Sequence, residues 1–139
     1  MVKIEVIKER LNQLMISIDK IKKYQALSLE EFLKDDIAQD IVEYNLFISI
    51  NMIIDIAMHI VTDENMGYPN TFGEAFKILY KENYIAKDEL EIYKNMIGFR
   101  NILSHEYIRI NKKLVYEAMQ NRLKDLEKFI LFVNDNFMI

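Results

Sequence analysis

The chain has 139 residues, 51% of them hydrophobic, with a net charge of −4 and no cysteine. That length suits a single domain over residues 1–139, able to bury about two-thirds of its unfolded surface. The missing cysteine excludes disulfides, thiol chemistry and cysteine-bound zinc, and the acidic balance excludes a general nucleic-acid coat.

Three glycines and one proline predict few turns and long elements. The amino terminus, "MVKIEVIKERLNQL", mixes charges into its apolar residues, unlike a signal peptide. Ile4, Ile7, Leu11, Leu14, Ile18 and Ile21 alternate steps of three and four, the stripe of a helix that packs on another helix. A break is expected near Ser28, then a longer helix from about Glu30 or Asp36 to about Val61. Its apolar run from Leu46 to Val61 is interrupted by Asn51, Asp55 and His59 and is too short to span a bilayer. The expectation is a cytoplasmic protein with no membrane association.

"TDENMGYPN" collects turn formers, including Gly67 and Pro69. Thr71 with Glu74 reads as a capping box that opens a short helix to about Lys81. Tyr84 to Ala86 is a turn, and a fourth helix runs from about Lys87 into "GFRNILSHEY". Asn111 can cap a last helix, along which Leu114, Ala118, Leu126, Phe129, Val133 and Phe137 recur every turn or two. No repeat, linker or hairpin signal interrupts this pattern. The expected fold is all-α, an up-and-down bundle of four to five helices.

Two groups of polar residues do not suit a bland bundle. On the fourth helix the apolar face reads Leu90, Tyr93, Met96 and Ile97, then Arg100, Leu103 and Tyr107. A guanidinium there is costly unless it snorkels, meets a buried acid or reaches an anion. His105 follows five residues later, about 140° around a regular helix. Either the helix ends near Ser104, or the two residues act in a site built from more than one chain. Histidine can exchange a proton near neutral pH, and arginine can grip a phosphate with two hydrogen bonds. On the second helix Asn51, Asp55 and His59 form a polar line. Asp55 and His59 are too few to hold a metal, so no metal is expected. A buried network is the simpler reading; a functional version has Asp55 pairing with Arg100 or orienting His105. The segment from Lys94 to Lys124 carries +5 and the remainder −9, so a basic face on an acidic body could hold a polyanion.

Arg100-Asn101-Ile102-Leu103-Ser104-His105-Glu106-Tyr107 matches the R-x4-H-x-Y motif of HEPN-domain ribonuclease toxins, and "GFRNILSHEY" resembles their HepT branch. The likeness extends to "DDIAQDIVEYNLFISINMIIDIAMHIV", "YPNTFGEAFKIL" and "LVYEAMQNRLKDLEKFI", nearly the whole chain. The resemblance implies a HEPN-type bundle that dimerises, with two motifs near the dimer cleft. It implies the toxin of a type II or VII toxin–antitoxin system, a metal-independent endoribonuclease with no cofactor. Its partner would be an MNT-type nucleotidyltransferase antitoxin, and its substrate cellular RNA. Arg100 and His105 would be the catalytic pair, supported by Asn101 and Asp55. Tyr107 would be the possible AMP acceptor. The family's second-helix polar residues would fall on Asn45, Asp55 and His59. The alternative is a non-catalytic HEPN module that serves as partner and AMPylation target of a nucleotidyltransferase. The chain departs from the family pattern at Tyr44, where a charged residue is more usual, at Ser104, commonly apolar, and at Asn111, often Asp.

Overall fold

A computed structural model describes residues 2–106 and 108–138 of the chain. Among the described residues every regular element is helical: α1 (Ile4–Lys22), α2 (Leu29–Leu33), α3 (Asp36–Asp63), α4 (Phe72–Lys81), α5 (Lys87–His105), α6 (Lys112–Asn121) and α7 (Leu123–Phe137). The all-helical expectation is met, with two refinements. A five-residue helix, α2, fills the break after Ser28, and the expected last helix is divided at Arg122 into α6 and α7.

The stripe on α1 packs as its spacing dictates. Ile7, Leu11, Leu14, Ile18 and Ile21 are buried, while Ile4 at the helix start stays exposed. Their partner is α3, which touches all six other helices and forms the axis of the bundle. The two helices run antiparallel: the Lys3 backbone N–H donates to Asp63 near one end, and Arg10 pairs with Asp55 further along. Ser17 and Ser49 are fully buried on these two helices.

The Leu46–Val61 run alone is too short for a bilayer, but the helix that contains it is long and apolar enough to cross one by length and composition. Other helices cover 56% of its most apolar window, and its buried residues are drawn from several sides of the helix. This is the pattern of an axis surrounded by its own chain.

Local chemistry sets the helix ends. Ser28 and Glu31 close a reciprocal capping box on α2. Thr71 Oγ1 accepts from the Glu74 N–H, as its spacing predicts, although the Glu74 carboxylate reaches the N–H of Asn70 instead of that of Thr71. Asn111 Oδ1 accepts from the Lys113 N–H and starts α6. The basic residue at the start of α6, Lys112, reaches back to the nearly buried Glu43 on α3 at 2.6 Å. Between α5 and α6 Ile110 is buried and Ile108 is exposed.

Aromatic packing fixes the far side of α5. Tyr93 stacks on Phe76 of α4 at 4.6 Å between ring centroids and meets Phe129 of α7 edge-on at 5.7 Å. Burial pushes the Tyr93 phenol pKa upward. Two turns further along the same side of α5, Arg100 meets Asn51 near the middle of α3.

Candidate active site

Arg100 lies half-buried on α5, in the stripe with the buried Leu90, Tyr93 and Leu103. Its Nε donates to Asn51 Oδ1 on α3 at 2.9 Å, and its Nη1 donates to Asn101 Oδ1 at 3.2 Å. The guanidinium carbon lies 5.2 Å from the ring centroid of Phe47 and 5.4 Å from that of Phe72. Both separations are within cation–π range. Two amides and two rings therefore hold Arg100, and among the described residues no carboxylate pairs with it. Neutral oxygens satisfy donors but do not cancel a positive charge. The group is fixed in place and keeps its charge for an anion.

His105 is the last residue of α5 and is exposed. The helix ends there because Glu106 leaves helical geometry, with its N–H closing the final turn onto Ile102 at 2.8 Å. The end falls one residue later than Ser104, so Arg100 and His105 both lie on the helix and stay on different sides of it. Asn101 is exposed beside Arg100. Tyr107 lies outside the described residues.

Asp55 takes another place than a partner of Arg100 or His105. Its Oδ2 accepts from Arg10 Nε at 2.6 Å and lies 3.8 Å from His59 Nε2. The hydrogen bond to Asp55 raises the Arg10 pKa, against the desolvation that burial brings. The physical reason is register: Asn51, one turn earlier on α3, meets Arg100, while Asp55 meets α1. Asn45 turns inward and donates to the Ile41 carbonyl of its own helix at 2.8 Å. Among the described residues, no three His, Asp or Glu side chains gather in a way that could hold a metal ion.

The sequence reading left out Phe47, Phe72, Arg10 and the Glu43–Lys112 pair. Phe47 lies four residues before Asn51 and so shares its helical side, a signal that periodicity alone can give. Phe72 comes from the start of α4 and has no such signal.

Of the hollows that border α5, two reach its second half. One, of about 220 Å³, is lined mainly by apolar side chains such as Leu46, Ile50, Met96 and Leu126. Neither Arg100 nor His105 lines it, although Phe99, the residue before Arg100, does. The other, of about 300 Å³, opens beside the motif and is lined by Asp40, Glu43, Tyr44, Phe47, Leu103 and Ser104.

Residues 14–133 match the family model described as ribonuclease HepT-like. A relative from Shewanella oneidensis named mRNA nuclease HepT is 35% identical over 100 residues, covering 72% of this chain and 75% of the relative. Another from Aphanizomenon flos-aquae, named tRNA nuclease HepT, is 29% identical over 129 residues, covering 93% and 88%. Among solved structures, a tri-AMPylated Shewanella oneidensis HEPN toxin in complex with an MNT antitoxin superposes with a TM-score of 0.85 at 29% identity, covering 94% of this chain and 98% of that one.

Proposed function

The chain belongs to the HepT-like ribonuclease family, and on that premise we propose that it is the toxin of a toxin–antitoxin pair, cleaving RNA without a metal ion. The observation that carries this reading is Arg100, a fixed guanidinium with no carboxylate on it among the described residues, five residues before an exposed histidine. The two named relatives act on different RNAs, one on mRNA and one on tRNA. The substrate class for this chain is therefore RNA.

The reaction is transesterification. The 2′-hydroxyl oxygen attacks the adjacent phosphorus, an O2′–P bond forms, and the P–O5′ bond breaks. The 2′ proton passes to a base, and the departing 5′ oxygen receives a proton from an acid. Arg100 stands opposite the charge that builds on the phosphorane oxygens. One chain supplies one motif histidine. A two-fold homodimer supplies two histidines and two arginines to one cleft, because a symmetric interface repeats the same patch. The half-exposed apolar residues Ile48 and Met52, beside Asn51 on α3, support that face as the seam. A monomer at micromolar concentration would contradict the dimeric site.

An MNT-type nucleotidyltransferase is the proposed antitoxin, and Tyr107 the proposed AMP acceptor. The AMPylated state of the Shewanella oneidensis toxin supports this, as does the exposure of Ile108 and Arg109 beside Tyr107. Each added AMP brings a negative charge and an adenosine toward a site that receives RNA phosphate. After co-expression with the nucleotidyltransferase, intact-mass analysis is expected to show AMP on the wild type and less on Tyr107→Phe. Equal gain on both would move the acceptor elsewhere.

The deciding experiment for catalysis is cleavage of total cellular RNA in EDTA. The wild type is expected to cleave, and His105→Ala to be slower by roughly a hundred- to ten-thousandfold. Activity that appears only when a divalent metal is restored would overturn the metal-free scheme. Undiminished cleavage by His105→Ala would remove the histidine from it.

A further inference from the structure

The hollow beside the motif differs in chemistry from the arginine it adjoins. Phe47 joins the two, since it lines the hollow and also carries the Arg100 guanidinium 5.2 Å from its ring centroid. Ser104, on another wall, is the residue just before His105. Anything bound here lies next to the phosphate that Arg100 would hold.

The lining suits a planar group with hydrogen-bond donors and not a second phosphate. Of its two carboxylates, Glu43 is occupied by Lys112 at 2.6 Å and nearly buried. Asp40 is exposed, and its side chain has no partner among the described residues. An uncompensated carboxylate repels a phosphate, but it accepts well from amino and imino N–H groups. Tyr44, four residues after Asp40 and three before Phe47, is 64% exposed. An exposed aromatic ring beside a hollow of about 300 Å³ is the kind of surface on which an unpaired base stacks. Ser104 adds a half-buried hydroxyl that can donate.

Resting on the reading of the chain as a ribonuclease, we propose that this hollow is a nucleobase subsite that selects guanine next to the scissile phosphate. Tyr44 stacks on the ring. Asp40 accepts from guanine N1–H and the 2-amino group, two adjacent donors that match the two oxygens of one carboxylate. Ser104 Oγ–H donates to O6. Uracil presents one donor between two acceptors, so one of its carbonyls would face the carboxylate, and it is rejected.

The test uses fluorescein-labelled hexauridylate and the same hexamer with one central guanosine, both 2′-O-methylated so that no attacking hydroxyl is present. Binding to the full-length wild type, Asp40→Asn and Tyr44→Ala is read by anisotropy. Asp40 and Tyr44 are exposed, so circular dichroism should show both variants folded. The wild type is expected to bind the guanosine oligomer about tenfold more tightly than hexauridylate. Asp40→Asn should erase most of that preference while still binding hexauridylate, and Tyr44→Ala should weaken both oligomers. Equal wild-type affinity for the two, or a preference unchanged in Asp40→Asn, overturns the subsite. Cleavage of the unmethylated oligomers is measured in parallel. A guanine preference in binding with no cleavage supports the subsite and overturns the ribonuclease reading. No binding to either oligomer overturns both.

Discussion

Two arginines reach α3 one helical turn apart, and they are treated differently. Arg10 of α1 donates its Nε to the Asp55 carboxylate at 2.6 Å, and Arg100 of α5 donates its Nε to the Asn51 amide oxygen at 2.9 Å. The two contacts are nearly alike in distance and donor atom. They differ in the charge of the acceptor. At about 4 Å a full opposite charge is worth on the order of 4 kcal/mol at an effective dielectric of 20, whereas a neutral amide fixes a guanidinium without cancelling it. The α1 side of α3 is thus a matched seam that holds helices together. The α5 side keeps a net positive charge, steadied by Phe47 and Phe72 and left for an incoming anion.

Deleting each arginine should separate the two roles most widely. Arg100→Ala is expected to lower RNA cleavage by roughly a hundred- to a thousandfold, the usual loss when one stabilising group is removed from a transition state. Single-turnover rates on a labelled RNA would measure it, and wild-type rates in this variant would remove Arg100 from the mechanism. Converting one site into the other should have a smaller effect. Asn51→Asp would give Arg100 the partner that Arg10 already has, and cleavage should fall by about ten- to a hundredfold as part of that charge is neutralised. Thermal unfolding should show that this variant is no less stable than the wild type. Arg10→Ala should have the smallest effect, costing about 1 kcal/mol of stability, as expected for a half-exposed ion pair. Its cleavage rate should change far less than that of Asn51→Asp. A loss of activity as large as that in Arg100→Ala would mean that the seam also shapes the cleft.

Local signals in the sequence were enough for the helices and for the odd placement of Arg100. The i, i+3, i+4 spacing marked Ile7 to Ile21 as a buried stripe, and Thr71 and Asn111 announced the starts of α4 and α6 by their side-chain oxygens. An arginine in an apolar stripe announced a site without naming its neighbours. The partners themselves are set by tertiary packing. Arg10 and Asp55 lie 45 positions apart, Arg100 and Asn51 49, and Lys112 and Glu43 69. No local periodicity encodes such pairings, so the sequence left Asp55 free to be assigned to Arg100. The helix α2 has five residues, too few to show a period, and only its capping box was available as a signal. The break at Arg122 contains neither proline nor glycine, and nothing local marks it.

The central claim is that Arg100 keeps its charge and lends it to an RNA phosphate. The measurement closest to that claim is the salt dependence of single-stranded RNA binding by the intact chain, compared between His105→Ala and the double variant His105→Ala with Asn51→Asp. The histidine change keeps the RNA whole during titration. Each phosphate contact to a single strand contributes about 0.7 to the slope of log affinity against log salt. The predicted result is a slope shallower by about 0.7 for each Arg100 contact that the aspartate withdraws. Equal slopes in the two proteins would contradict the claim.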